Sequence, residues 1–329
     1  LYVDGSISTK NIDFYLGDGS TKPIVTTGTR AWDTTTANWL PDNSASGTYQ
    51  AWSDGVNAIF VGALPSVTVT ESINVKTISR ESESGTATFA TSGGAVVTIL
   101  DSIDGGGLWF KVDGSIDGSF SITNIAYFLL TAGATVEPGT TITSDNGCDF
   151  FRFAWDTPAD FSDLTLNVSA DNLDIDRGNV VIGTMNGNAG LTGNKASFQV
   201  NSLNPGSGAS SAGIGSVSAS AYANDMVLGS GTHAFDIDYT AQSATNDELT
   251  LNGTTGDLTY GGTLNVTLLG GTLAPYATFD LFDAASFSGS FDTMNLPTLT
   301  GDMSWDTSKL TVDGSIRVFA PSGTVFRFQ

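Results

Sequence analysis

A nucleophilic or acid–base site in this chain would have to use His233, the one histidine among 329 residues. A Ser-His-Asp arrangement needs that imidazole as the base between a hydroxyl and a carboxylate. His233 instead belongs to the run His233-Ala234-Phe235-Asp236-Ile237-Asp238-Tyr239, where it shares a face with Phe235, Ile237 and Tyr239. Period two of this kind marks a half-buried strand, so the ring is expected in the core or at its edge. No Gly-x-Ser-x-Gly elbow precedes a helical pattern. Zinc would need carboxylates at most positions, because the only other strong ligand is the single cysteine, Cys148. Glycine turns are frequent, but none joins a strand to a helix, as a phosphate-binding loop requires. Two carboxylates suffice for a glycosidase. Here no Asp/Glu pair stands in a recognisable aromatic cluster, and the few basic residues a lyase would use are scattered. A polysaccharide lyase or hydrolase is therefore the least favoured reading, and the chain is expected not to be an enzyme.

Two binding chemistries remain. Asp171, Asp174 and Asp176 lie close together ahead of Gly178, with oxygen ligands at a spacing that suits Ca²⁺. The loop is not of the helix–loop–helix type, and Arg177 brings a competing charge. The alternative is a strand exposing alternate carboxylates. Calcium is the one cofactor the sequence offers. Trp32, Trp39, Trp52 and Trp109 could stack on pyranose faces in an adhesin or other glycan-binding protein. Trp32, Trp39 and Trp52 also suit a cap over the open end of a stack of β-rungs, since stacked repeats need their ends covered. The cap is the favoured reading.

Composition narrows the partners. Twelve Lys and Arg against 34 Asp and Glu give a net charge of −22, which excludes a nucleic-acid binder that must replace counterions with a basic patch. Much of the acid sits in Asp-Gly pairs such as Asp4-Gly5, Asp104-Gly105, Asp113-Gly114 and Asp117-Gly118, where Asp favours turns. Forty per cent apolar residues can fill a continuous core, and no run has the length of a membrane-spanning helix. One cysteine rules out an internal disulfide; Phe150, Phe151 and Phe153 after it point to a buried thiol. The start at Leu1, without a leader sequence, is taken as a processed end.

The elements that would position any site are short strands cut by Gly, Asn-Gly or Pro at roughly ten-residue intervals. Residues 1–60 hold a strand at 12–16 and the Trp-rich segment. Residues 61–224 hold short strands such as Val67-Thr68-Val69-Thr70, Ala126-Tyr127-Phe128-Leu129-Leu130 and Leu164-Thr165-Leu166-Asn167-Val168. About seven rungs of some 20–25 residues fit there. Residues 204–220 are rich in Gly, Ser and Ala and read as a loop or thin rung. Residues 225–318 form a C-terminal β module with strands at Thr263-Leu264-Asn265-Val266, Thr278-Phe279-Asp280 and Leu310-Thr311-Val312. Residues 319–329 form a terminal strand. The pentapeptide Val-Asp-Gly-Ser-Ile begins at Val3, Val112 and Val312 and reads as a recurring corner. The fold class is all-β, a parallel β-helix or solenoid with an N-terminal Trp-rich cap and a C-terminal β-rich module.

The pieces Asp247-Glu248-Leu249-Thr250-Leu251-Asn252-Gly253, Gly261-Gly262-Thr263-Leu264, Gly270-Gly271-Thr272-Leu273, Thr278-Phe279-Asp280-Leu281-Phe282 and Trp305-Asp306-Thr307-Ser308-Lys309-Leu310 resemble, in order, the C-terminal module of autotransporter-associated β-strand repeat proteins. The tryptophan-rich start is similar to the beginning of that family. The resemblance implies an exported, non-catalytic β-solenoid of the bacterial surface and carries over no catalytic residues. The expectation is an extracellular structural protein that self-assembles into a filament or matrix. Unpaired apolar strands at Ile12, Phe14 and Leu16 and at Val325, Phe326 and Phe328 would join one copy to the next by strand addition.

Overall fold

The computed structural model describes residues 13–16, 28–37, 39–40, 50–61, 65–81, 86–145, 148–153, 159–175, 179–192, 197–219, 225–251 and 255–321. Strand accounts for 65 % and helix for 3 %, and most strand pairs are parallel, as a β-solenoid requires. The chain divides into two compact units, Leu1–Ile142 and Thr143–Gln329. No helix among the described residues is long and apolar enough to cross a membrane.

In the first unit the strands stack in three columns, because apolar residues at alternate positions meet the same residue class one rung away. Phe14, Ala58, Ile78, Ile103 and Ile122 are in register in one column. Val67, Phe89, Val112 and Leu130 are in register in the second. Ile73 and Val97, then Val97, Ile116 and Val136, follow in the third. Inward residues such as Ile78, Phe89 and Phe110 have no exposed surface, while their neighbours along the strand face outward. Phe60, Phe110 and Phe128 stack almost parallel at 6.4 and 6.1 Å, an aromatic spine along the core.

The second unit repeats the plan. Val180, Phe198, Met226, Leu258 and Phe287 form one column. Ala189, Val217, Leu249 and Phe282 form another. The third begins Leu166, Met185, Leu203 and resumes His233, Leu264, Met294. Stacking thus continues past residue 225. Rungs are short at first: the hydrogen-bonded asparagines Asn167, Asn186 and Asn204 lie 19 and 18 residues apart. Later they lengthen, and Asn204 to Ala234 and Asn265 to Asn295 each span 30 residues. The loop from Pro205 to Gly215 supplies part of the first increase.

Two local expectations change. Leu310-Thr311-Val312 is not a strand: Leu310–Asp313 is one helical turn that buries Leu310 and leaves Val312 61 % exposed. Gly314 ends it at φ 75°, a conformation natural to glycine. A Cβ there would lie 1.8 Å from the Phe282 carbonyl oxygen. The recurring pentapeptide therefore has two structures. Around Gly114 it is the expected corner between the strands Val96–Asp113 and Ser115–Asp117; around Gly314 it is a helix end leading into Ser315–Phe319. What recurs is a glycine packed against a neighbouring rung, since a Cβ on Gly114 would lie 2.3 Å from the Thr91 amide nitrogen. Its copy at residues 3–7 lies outside the described residues. The last strand pairs antiparallel with Thr278–Asp280 and Ser304–Asp306, in a sheet unlike the parallel columns.

Candidate functional site

His233 is fully buried, and both ring nitrogens are committed. Nδ1 accepts the Leu203 amide at 3.2 Å, which places the proton on Nε2, facing the Gly229 carbonyl at 3.2 Å. Burial holds the imidazole below its ordinary range and outweighs the Gly229 bond, which favours the cation. The ring sits at a seam. Between the strands Ser197–Asn204 and Thr232–Tyr239 the amides of Thr232 and Ala234 donate to Ser202 Oγ and Asn204 Oδ1, both at 3.1 Å. Side chains thus stand in for a backbone ladder, and the histidine is part of that joint.

Asp247 is a second buried polar group. Its Oδ1 accepts the Gly215 amide at 2.7 Å and Oδ2 the Asp236 amide at 2.6 Å. It is not exposed at all. Burial pushes its carboxyl up to about 7, against the pull of those two amide bonds and with added repulsion from Asp236. The carboxyl ties the end of the 205–215 loop, at Gly215, to Asp236 of the strand Thr232–Tyr239. Its environment is a structural clamp, with no described nucleophile or base aimed at it.

Trp32, Trp39 and Trp52 pack on one another with ring centroids 4.9–5.0 Å apart, and they are 0 %, 0 % and 4 % exposed. Trp32 also meets the edge of Phe60, the first ring of the core spine, at 5.7 Å. Their faces are covered by one another, so they offer none for stacking on a sugar. Trp109 differs: it is 42 % exposed and lies beside Tyr127, centroids 4.3 Å apart.

The other sequence candidates lie at or beyond the limits of the description. Asp171 and Asp174 belong to the strand Ala159–Ile175, but only their backbone is described, and Asp176 lies outside the described residues. Among the described residues no three metal-ligating side chains cluster. Phe14 and Leu16 lie in the strand Asp13–Leu16, which is not the unpaired strand expected: its backbone pairs parallel with Val56–Val61 on one edge and antiparallel with Trp39–Leu40 on the other; their side chains, and the whole of Ile12, Val325, Phe326 and Phe328, are outside the described residues. Cys148 is buried, at 5 % exposure.

A column of amides was not anticipated from the sequence. Asn167 Nδ2 donates to Thr143 Oγ1, Asn186 Nδ2 to Asn167 Oδ1 and Asn204 Nδ2 to Asn186 Oδ1, at 3.2, 2.8 and 2.8 Å. Asn204 Oδ1 then takes the Ala234 amide, Ala234 is in register with Asn265, and Asn295 Nδ2 donates to Asn265 Oδ1 at 2.6 Å. Each asparagine follows a large apolar residue: Leu166, Met185, Leu203, Leu264 and Met294. That dipeptide, recurring on every rung of the column but the one that carries His233-Ala234, was the available signal. Among the described residues the column ends on the strand Thr293–Asn295, which pairs on one side only, with Thr263–Gly271. All three residues are exposed, Met294 by 42 %, and no described residue donates to Asn295 Oδ1. Elsewhere this end is closed by Tyr260, Phe282, Phe287 and Phe291, packed ring to ring, with Tyr260 Oη donating to the Leu310 carbonyl at 2.8 Å.

No protein-family model, curated protein or solved structure matches the chain.

Proposed function

We propose that this chain is a non-catalytic, extracellular structural protein of the bacterial surface that associates with further copies of itself through the end of its β-solenoid. One observation carries the reading. The last strand of the amide column, Thr293–Asn295, pairs on one edge only among the described residues, and none of them donates to its Asn295 amide oxygen, in the direction in which rungs are added. A free edge is a template for another strand, and a stack of asparagine amides is extended by one more amide. The commitment of His233 to two backbone groups agrees with a structural role. The likeness to autotransporter-associated repeat proteins supplies the compartment. The terminal segment around Val325, Phe326 and Phe328 is the sequence candidate for the incoming strand, because the strand that holds Phe14 and Leu16 is already paired on both edges within the chain.

Negative-stain microscopy of the purified chain at rising concentration tests this. Filaments or sheets are expected, and they should be lost in Met294→Lys, which puts a charge on the exposed end, with the monomer's melting temperature unchanged. Isolated short rods at every concentration would sink self-assembly as the main function. Assembly that survives removal of residues 322–329 would eliminate the C-terminal donor, and loss of filaments on chelation would implicate Ca²⁺ and the Asp171, Asp174 and Asp176 segment.

A second reading, glycan binding at the cell surface, is favoured by the exposure of Trp109 against the burial of the other three candidate tryptophans.

A further inference from the structure

The outer face of one column in the first unit is built unlike the rest of that unit's surface. Thr86, Trp109 and Tyr127 are in register on three neighbouring strands, and Thr88, Lys111 and Leu129 follow two residues on. Alternation along a strand puts both rows on the same face. Trp109 and Leu100 are the only large apolar side chains exposed among the described residues of this unit, and Trp109 alone is paired with a second ring. The two rings are tilted by 44°, a shallow aromatic trough. Polar groups border it. Lys111 and Asp113, 3.8 Å apart, are 35 % and 40 % exposed, and Asp113 accepts a hydrogen bond from the Thr131 hydroxyl. On the other side Asp104 Oδ1 accepts the Gly106 amide and the Asn124 carboxamide at 3.0 and 3.3 Å. Gly107, two residues before Trp109, carries no side chain to cover it.

The geometry points to this face, centred on Trp109 and Tyr127, as a binding platform for a neutral glycan chain lying along the strands. The inference deepens the glycan-binding reading and is independent of self-assembly. A pyranose has an apolar C–H face and a hydroxyl rim; the aromatic trough matches the first, and the Thr86 and Thr88 hydroxyls with the Lys111–Asp113 pair match the second. Two residues of strand advance about 7 Å, on the order of one sugar unit, so a ring on Trp109 brings the next to Lys111 and Asp113. A parallel sheet holds these groups in place before binding, so little ordering remains to be done. A protein partner would call for a broader apolar centre than one aromatic pair. The net charge of −22 repels an anionic polysaccharide, which leaves neutral glycans as the class.

Affinity electrophoresis of the full chain through gels containing mannan, β-glucan, xyloglucan or galactan, with alginate as the anionic comparison, tests the platform. Retardation by at least one neutral polymer is expected, with a loss of tenfold or more in affinity for Trp109→Ala and for Tyr127→Ala. Trp109→Tyr should keep part of the affinity, and Leu100→Ala should keep all of it. The bound polymer should also shield tryptophan fluorescence from acrylamide in the unsubstituted chain and not in Trp109→Ala. Retardation that survives both alanine substitutions overturns this face while leaving glycan binding standing. Retardation by alginate alone overturns the neutral class. No retardation by any polymer overturns the platform and the glycan-binding reading together.

Discussion

Replacing Asp247 by asparagine should change the stability of the second unit with opposite sign at pH 5 and pH 8. In the fold the carboxyl is pushed up to about 7 from its ordinary 3.8, chiefly by burial. Between those two values the folded chain holds a proton that the unfolded chain has released. Stability therefore falls as pH rises through this window, by at most about 1.4 kcal/mol per unit and about 4 kcal/mol in all by pH 7. Asp236, raised by burial as well, adds to the same trend. His233 opposes it: its depressed value means that stability is lost as pH falls below 6.5. The carboxamide introduced by Asp247→Asn would accept one of the two amides, from Gly215 or Asp236, and turn its own N–H₂ toward the other. That leaves one buried donor unpaired, a cost of about 1–3 kcal/mol. At pH 5, where the native carboxyl is neutral, Asp247→Asn is expected to destabilise by this amount. At pH 8 it also removes a buried charge, a relief of about 4 kcal/mol that outweighs this cost, so the variant should be the more stable. Urea unfolding followed by far-ultraviolet circular dichroism gives the free energies, and amide exchange at Gly215 and Asp236 gives the local effect. A difference that is the same at both pH values within about 0.5 kcal/mol would refute the argument that a buried titrating carboxyl closes the loop.

Two further substitutions probe the closed end of the second unit. Gly314→Ala forces a side chain into left-handed backbone and onto the Phe282 carbonyl; a loss of about 3 kcal/mol or more is expected in thermal or urea unfolding. Tyr260→Phe removes the donor to the Leu310 carbonyl while keeping the ring among its aromatic neighbours, and should cost about 1–2 kcal/mol with an unchanged dependence on denaturant.

Part of the site was open to reading from residue types. Alternation placed His233 on the inner face of its strand, and the spacing of Trp32, Trp39 and Trp52 marked a capping cluster. The difference between those three and Trp109 was not legible, because exposure depends on which rung lies above. Trp109 faces outward with Thr86 and Tyr127 as neighbours, and those partners are 23 and 18 residues away in the chain. The amide column was missed for a related reason. One asparagine after an apolar residue is an ordinary strand dipeptide, and only the register turns five of them into a column. Leu310-Thr311-Val312 misled because three apolar or β-branched residues suit a strand, while the glycine that follows supplies a helix stop.

What the sequence determined by itself is the class of fold. Period-two alternation broken by glycine turns admits little but short strands, and the scarcity of charge in a chain this long requires a continuous buried core. What tertiary structure decided is the identity of each neighbour. In a parallel stack the contacts between rungs join residues far apart in the chain, from 18 positions for Trp109 and Tyr127 to 44 for Phe14 and Ala58, so local pattern fixes which side chains point inward but not what they meet. The burial of three tryptophans, the exposure of the fourth, the two backbone bonds of His233 and the one-sided pairing of Thr293–Asn295 among the described residues all follow from that register.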